Sequence, residues 1–265
     1  MKLRTLFVFA LAAVLPLARA ENPVEVPPRP QAPNDESSYR RFTLDNGIKV
    51  ILLSDPKLNK SAASLAVGVG SYSDPANRQG LAHFLEHMLF LGTEKYPDES
   101  DYRQYLEGNG GYSNAYTAGA ITNYHFEVRH EALEGALDRF SQFFIAPLFS
   151  AKFTEREMNA VNSEFQFRLE NDLWREYHLH GTYYRQGHPA NHFNIGSRET
   201  LTGTTHEELL NFYKTHYSAG IMTLAVTGKA PLDQLERWAR EYFSPIENRH
   251  LAPINLPADF LPPKP

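Results

Sequence analysis

The chain has 265 residues, of which 42% are hydrophobic and 22% are charged, a balance that supports a folded core and excludes disorder over most of the length. The formal net charge of −5 provides no basic surface for nucleic acid or for an anionic membrane. Cysteine is absent, so disulfides and thiol ligands are excluded and any metal site must use histidine, aspartate or glutamate.

Residues 1–20 have the pattern of a secretory signal peptide. Lys2 and Arg4 precede an apolar run from Leu6 to Leu17, and small residues ending at Ala20 suit cleavage there. Because the apolar run is too short to cross a bilayer, we expect no membrane span in the mature chain. The sequence therefore predicts an exported protein, which is periplasmic if the source is bacterial and otherwise secreted.

Two proline-rich segments flank the part of the chain that shows helix and strand signals. Residues 21–39 contain five prolines and predict an extended linker. Residues 251–265 predict a second linker that leads out of the domain. The predicted domain therefore covers residues 40–250.

The first predicted element is a hairpin, in which β-rich runs at 42–44 and 48–53 surround an Asn46-Gly47 turn. A later, long helix is predicted to be capped by Thr154 and to run to about Arg168 or beyond. Residues 181–203 are predicted to be irregular. The other predicted elements are, in chain order, a strand at 61–70, helices at 80–91 and 100–107, strands at 112–117 and 122–129, helices at 131–145 and 205–217, a strand at 222–227 and a helix at 232–243.

This order of elements favours an α+β fold, because strands cluster towards both ends of the chain and long helices lie between them. We expect a mostly antiparallel sheet packed against helices. An alternating βαβ repeat does not fit this order.

A histidine pair with a neighbouring glutamate is the first candidate site. His83 and His87 are four residues apart on a predicted helix, so both imidazoles project from one face and could hold one zinc ion. Glu86 lies beside that face, where a carboxylate could take a proton from a metal-bound water. The surrounding residues are apolar on nearly every side, which predicts a buried helix and argues against a merely solvated polar face.

A third protein ligand is needed, because two histidines leave zinc one ligand short. Glu157 and Glu164 are two helical turns apart on the predicted long helix and therefore share a face. One of them could bind the metal while the other orients a histidine or the base. The spacing alone leaves both assignments open, as well as a solvated acidic face.

Several further motifs accompany the histidine pair in a fixed order. They are Gly68-Val-Gly-Ser-Tyr-Ser-Asp, Gly80-Leu-Ala-His, Gly92-Thr-Glu-Lys-Tyr-Pro, Ser113-Asn-Ala-Tyr-Thr, Asn123-Tyr-His-Phe-Glu-Val, Leu133-Glu-Gly-Ala-Leu-Asp-Arg-Phe and Arg156-Glu-Met-Asn-Ala-Val-Asn-Ser-Glu. With these motifs and His-Phe-Leu-Glu-His, the stretch from Arg41 to Phe243 resembles the pitrilysin/insulinase family of zinc metallopeptidases, which carry this inverted motif. The resemblance implies that family's α+β metallopeptidase fold.

The resemblance also implies roles for individual residues. It implies one zinc ion per domain, bound by His83, His87 and Glu164. It implies Glu86 as the general base and Glu157 as an acidic residue that supports the site without binding the metal.

A substrate-binding segment is implied as well. Asn114 and Ala115 match a family segment on an edge strand that pairs with an extended peptide substrate, and Tyr116 is a candidate for lining a side-chain pocket. Without the resemblance, Asn114 would be better explained as a turn residue beside Gly110-Gly111.

Members of the family have a second half, which contributes an arginine and a tyrosine near the substrate carbonyl. The resemblance therefore implies a second homologous domain or a partner chain, and the proline-rich tail favours the interpretation that this chain is a piece of a longer peptidase. The leading hypothesis is a zinc-dependent metalloendopeptidase acting on peptides or small unfolded polypeptides. The alternatives are a zinc-binding half that cleaves nothing, against which Glu86 argues, and a zinc hydrolase or lyase for a small molecule. A peptide-modification role, such as the processing of a cofactor precursor, also stays open within the family.

Overall fold

The structure is a computed structural model that describes residues 31–191, 193–256 and 258. The predicted signal peptide and large parts of both predicted linkers lie outside the described residues. The chain divides into two units, Met1–Asp35 and Glu36–Pro265. In the first unit, the described residues 31–35 form a turn, whereas the helices and strands of the described chain belong to the second unit.

A mixed sheet of six strands, counted over the described residues, is the centre of the second unit. The strands are β1 (Ser38–Thr43), β2 (Lys49–Ser54), β3 (Ser61–Val67), β4 (Tyr112–Thr117), β5 (Thr122–Val128) and β6 (Met222–Gly228). Their order in the sheet is β1-β2-β6-β3-β5-β4. Four of the five strand pairs are antiparallel and the pair β2–β6 is parallel, which confirms the predicted mostly antiparallel α+β fold.

The predicted hairpin is confirmed, since β1 and β2 are antiparallel neighbours joined through Gly47, which has a φ of +92°. β1 begins two residues inside the segment predicted as a linker, because Ser38 and Tyr39 pair with residues of β2. Burial alternates along β3 and β5, as expected for strands with one covered face.

Helices cover one face of the sheet. The helix α3 (Leu133–Gln142), for example, buries Leu133, Leu137 and Phe140 completely. In the described part of the chain, no helix combines the length and apolar character needed to cross a membrane. The helices are α1 (Leu81–Leu89), α2 (Asp101–Gly108), α3 (Leu133–Gln142), α4 (Ala151–Leu169), α5 (Asp172–Thr182), α6 (Arg198–Leu201), α7 (His206–His216) and α8 (Leu232–Phe243).

Three helices differ from the predictions. α4 begins at Ala151 after Ser150, so Thr154 lies inside the helix and the prediction that it caps α4 is wrong; the buried Phe153 extends the helix towards its N-terminus. α5 was not predicted, although Asn171 caps its start and the apolar Leu173 and Tyr177 are four residues apart; none of its residues is buried. The segment predicted as irregular contains the end of α5, the single turn α6 and a 3₁₀ turn at Pro189–Asn191.

Candidate metal centre

The helix α1 carries the histidine motif into the core. All of its residues except His87 are buried, and His83 and Glu86 are 8% and 5% exposed. The carboxylate of Asp74 fixes the start of the helix, because its two oxygens accept hydrogen bonds from the N–H groups of Gly80 (2.7 Å) and Ala82 (2.8 Å). These are N–H groups that a helix N-terminus would otherwise leave unpaired.

The side chains of His83, His87 and Glu164 converge on one point. Glu164 Oε2 lies 3.5 Å from His83 Nε2 and 3.6 Å from His87 Nε2. Over the residues that the structure describes, this is the group of histidine and acidic side chains whose ligand atoms all lie within 4.8 Å of one another. Two imidazole nitrogens and one carboxylate oxygen form a donor set that zinc takes in catalytic sites, with a further position open. The residues present therefore fit a zinc ion.

The remaining ring nitrogen of each histidine is held by a different group. His83 Nδ1 donates a hydrogen bond to the carbonyl oxygen of Ile195 at 2.7 Å. A carbonyl only accepts, so the Nδ1 of His83 carries the proton and its Nε2 keeps a lone pair. His87 Nδ1 lies 3.5 Å from Glu157 Oε2. The structure thus separates the two glutamates that the spacing left equivalent: Glu164 faces both Nε2 atoms, and Glu157 stands behind His87.

The charges of this cluster shift its pKa values in opposite directions. Burial lowers the pKa of His83 to about 4, with a smaller contribution from His87. Burial also disfavours the charged form of His87, but the carboxylates of Glu157 and Glu164 outweigh it and raise the pKa of His87 to about 9. Burial disfavours the Glu164 carboxylate, yet His87, His83 and Arg168 together lower its pKa to about 2. In the metal-free chain the Glu164 carboxylate is therefore ionised and the imidazole of His87 is protonated, so a cation that binds here must displace a proton from His87.

Glu86 is held by a strand and not by the metal-facing cluster. Its Oε2 accepts a hydrogen bond from the hydroxyl group of Thr117, the last residue of β4, at 2.5 Å. Burial raises the pKa of Glu86 to about 7, although the bond from Thr117 acts in the opposite direction. A carboxyl group that titrates near neutrality is suited to accept and return a proton.

A cavity of about 580 Å³ opens beside Glu86 and His87. One of its walls is β4, which contributes Ser113, Asn114 and Ala115. In the described sheet β4 is an edge strand that pairs with β5 on one side, so its other edge presents backbone N–H and C=O groups. The candidate site therefore combines a metal-binding cluster with an accessible strand edge.

The structure distinguishes the residues predicted along β4. Asn114 lies inside the strand opposite His125, so the interpretation of Asn114 as a turn residue is wrong. Tyr116 is 51% exposed and does not line the cavity, although it lies on the same face of β4 as Asn114, which does. A pocket role for Tyr116 stays a prediction.

The buried carboxyl group of Asp74, at the start of α1, should make the stability of the fold depend on pH. Burial raises the pKa of this carboxyl to about 7, although the bonds from Ala82 and Gly80 oppose the shift. An unfolded aspartate titrates near about 3.9. Folding therefore favours the protonated form, so the contribution of Asp74 to stability is fully present below about pH 4 and is lost as the pH rises through about 7.

The substitution Asp74→Asn should remove this dependence, because asparagine is neutral at every pH. Between about pH 5 and pH 7, the free energy of unfolding of the wild type should fall relative to that of Asp74→Asn, by up to about 1.4 kcal/mol per pH unit. Urea denaturation of the metal-free proteins at several pH values measures the difference. A difference that does not change with pH would contradict the raised pKa.

The chain matches two family models and is similar to known proteins. A family model described as "Insulinase (Peptidase family M16)" matches residues 49–194, and one described as "Peptidase M16 inactive domain" matches residues 204–265. The insulin-degrading enzyme of Drosophila melanogaster is 51% identical over 224 residues, which cover 82% of this chain and 23% of that protein. The A-factor-processing enzyme of Saccharomyces cerevisiae is 49% identical over 222 residues, which cover 81% of this chain and 22% of that protein.

A solved structure agrees with these matches. The crystal structure of pitrilysin superimposes with a TM-score of 0.85 at 34% sequence identity and covers 88% of this chain and 25% of that chain. The chain thus spans about a quarter of the length of the proteins that it matches.

Proposed function

Because the chain belongs to the insulinase family of peptidases, family M16, we propose that it is the zinc-binding catalytic domain of a metalloendopeptidase that hydrolyses peptides or small unfolded polypeptides. The observation that carries the proposal is the convergence of His83 Nε2, His87 Nε2 and Glu164 Oε2 beside the buried Glu86. The names of two relatives support the substrate class, since one refers to the degradation of insulin and the other to the processing of A-factor.

The proposed mechanism assigns a separate task to each side chain. His83, His87 and Glu164 would hold one zinc ion, and Glu157 would keep the ring of His87 in place from behind. When bound, zinc supplies a Lewis acid that polarises a carbonyl group and lowers the pKa of a water molecule. Glu86 would accept a proton from the water molecule that attacks the peptide carbonyl. It would return this proton to the leaving amine as the C–N bond breaks. Because Thr117 occupies Oε2 of Glu86, the other oxygen remains for the proton.

The edge strand β4 supports a peptide as the substrate. An extended peptide that pairs with a strand edge gains main-chain hydrogen bonds without a strict demand on its sequence. Asn114 and Ala115 lie on this strand and line the cavity that opens beside Glu86, so we assign them to substrate binding. A small-molecule substrate could not pair with the backbone N–H and C=O groups along this strand edge.

A second candidate function is a zinc-binding half that cleaves nothing by itself. Its support is the match of residues 204–265 to the family model described as an inactive domain, together with the short coverage of the relatives. We therefore propose that activity requires a second homologous domain or a partner chain. The intact Glu86, positioned by Thr117, favours the catalytic role over the alternative.

Metal analysis combined with a peptide assay tests the proposal. The purified chain should contain one zinc ion, and cleavage of an internally quenched peptide should stop with a chelator and return with added zinc. The assay is run on the chain alone and on the chain mixed with a candidate partner. A chain without zinc would contradict the proposal, whereas one zinc ion without cleavage in either preparation would favour the non-cleaving half.

Export from the cytoplasm is a further part of the proposal. The pattern of residues 1–20 supports a cleaved signal peptide and a periplasmic or secreted protein. Sequencing of the N-terminus of the mature protein should begin at Glu21. A mature protein that retains the apolar run would contradict this proposal without affecting the assignment of the metal site.

A further inference from the structure

Two glycines touch each other next to the candidate metal centre. Gly80 directly precedes α1, Gly196 lies two residues before the start of α6, and both have a φ of +92°, a conformation that glycine adopts without steric cost. A Cβ atom on Gly80 would lie 2.2 Å from Gly196 Cα and 2.5 Å from Gly196 N. The two backbones therefore meet with no side chain between them.

This contact brings the carbonyl group of Ile195 to His83. Ile195 lies 112 residues from His83 in the sequence and accepts the hydrogen bond from its Nδ1. A Cβ atom on Gly80 would also lie 3.0 Å from the carbonyl carbon of Ile195, so this group would have to move. The close approach of the two glycines is thus what allows a distant carbonyl to hold the ring of His83.

The segment 195–198 is also fixed to α4, the helix that carries Glu164. Gly196 packs towards the buried Val161, whose Cγ1 would be 3.3 Å from a Cβ atom on Gly196. The N–H group and the guanidinium of Arg198 donate, at 2.7–3.0 Å, to three side chains of α4, which are Asn162, Asn159 and Glu155. The segment therefore joins the start of α1 to α4, the two helices that carry the candidate ligands.

We propose that the Gly80–Gly196 contact is a positioning element for metal binding: it holds the Ile195 carbonyl against His83 Nδ1 and keeps His83 Nε2 opposite Glu164. The inference rests on the proposed zinc site. A histidine whose second nitrogen is already fixed needs no reorientation to bind a metal, and loss of such a partner lowers metal affinity about 10–100-fold.

The substitution Gly196→Ala tests the proposal with a matched control. Its Cβ would meet Leu201 Cδ1 at 2.8 Å and Gly80 Cα at 3.3 Å, and a φ of +92° is strained for alanine, so the Gly80–Gly196 contact should widen by a few tenths of an ångström. Gly187→Ala is the control, since Gly187 has a similar φ of +82° but nothing within 4 Å of an added Cβ. Zinc affinity, measured by competition with a chromogenic chelator, should fall about 10–100-fold in Gly196→Ala and stay at the wild-type value in Gly187→Ala.

The tautomer of His83 gives a readout that is independent of zinc. In the metal-free wild type and in Gly187→Ala, ¹⁵N NMR of the imidazole should show the proton on Nδ1, and Gly196→Ala should show a mixture of tautomers. Arg198→Met removes the guanidinium bonds to α4 without a change at glycine, and it should shift both readouts in the same direction by a smaller amount. This variant carries the test if Gly196→Ala does not fold.

Three outcomes separate this inference from the proposed function. Wild-type affinity and tautomer in both Gly196→Ala and Arg198→Met would overturn the inference, even if the wild type binds zinc and cleaves peptides. An equal loss in Gly187→Ala would also overturn it, because backbone strain would then explain the effect. If the wild type bound no zinc, the proposed function would fail, while the tautomer comparison would still decide whether the contact positions His83.

Discussion

Replacing Glu86 with glutamine should abolish peptide cleavage and leave the zinc content unchanged. Glutamine has the shape of glutamate and can still accept the hydrogen bond from Thr117, so the buried site keeps its packing. It cannot take a proton from water, because an amide is not a base at neutral pH. Removal of a general base lowers kcat by roughly 10²–10⁴-fold.

The measurement uses whichever preparation of the wild-type chain cleaves the quenched peptide, alone or with a partner. Zinc per chain is determined in parallel. Glu94→Gln is the matched control, because Glu94 is an exposed glutamate shortly after α1 and should behave like the wild type. Full activity of the zinc-loaded Glu86→Gln variant would show that another group acts as the base.

Replacing Glu164 with alanine should remove zinc from the protein. Glu164 supplies the oxygen that faces both Nε2 atoms, at 3.5 Å and 3.6 Å. Its loss leaves two nitrogen donors, which is fewer than zinc uses in protein sites. The loss of affinity should therefore exceed the roughly 10–100-fold that is typical of removing a partner behind a ligand.

The number of zinc ions per chain after dialysis, measured by inductively coupled plasma mass spectrometry, tests this prediction. Glu170→Ala is the control, since Glu170 is an exposed glutamate at the end of the same helix. Circular dichroism should show that both variants retain the wild-type helix content. A Glu164→Ala protein that still holds one zinc ion would exclude Glu164 as a ligand and would indicate that Glu157 is the third ligand.

Local pattern was sufficient for the parts of the site that lie on one element. The four-residue spacing of His83 and His87 predicts that they share a helix face, and α1 places both Nε2 atoms at the same carboxylate oxygen. The hairpin around Gly47 follows equally from turn chemistry. Both features are set by the nearest residues in the chain. The edge position of β4 was implied only by the family resemblance.

Contacts between distant segments were not predicted, because no local pattern specifies them. Thr117 reaches Glu86 over 31 residues and Ile195 reaches His83 over 112 residues, and a threonine or a backbone carbonyl carries no signal of its partner. Asp74 lies in one of the motifs, yet its role at the start of α1 appears only in the folded chain. α5 is a different case, since its local signals, an Asn171 cap and apolar residues at Leu173 and Tyr177, were present in the sequence and were overlooked.

The short free edge of β4 has a consequence for the choice of substrate. The strand has six residues, which correspond to about 20 Å of extended chain. A peptide that pairs along it must offer several consecutive residues whose backbone groups are not already bonded. In a folded protein those groups are engaged, so they become available only through local unfolding. The cleavage rate of a folded substrate would then fall about tenfold for each 1.4 kcal/mol of free energy needed to open it locally. The choice among folded substrates would therefore depend on their local stability as well as on their sequence.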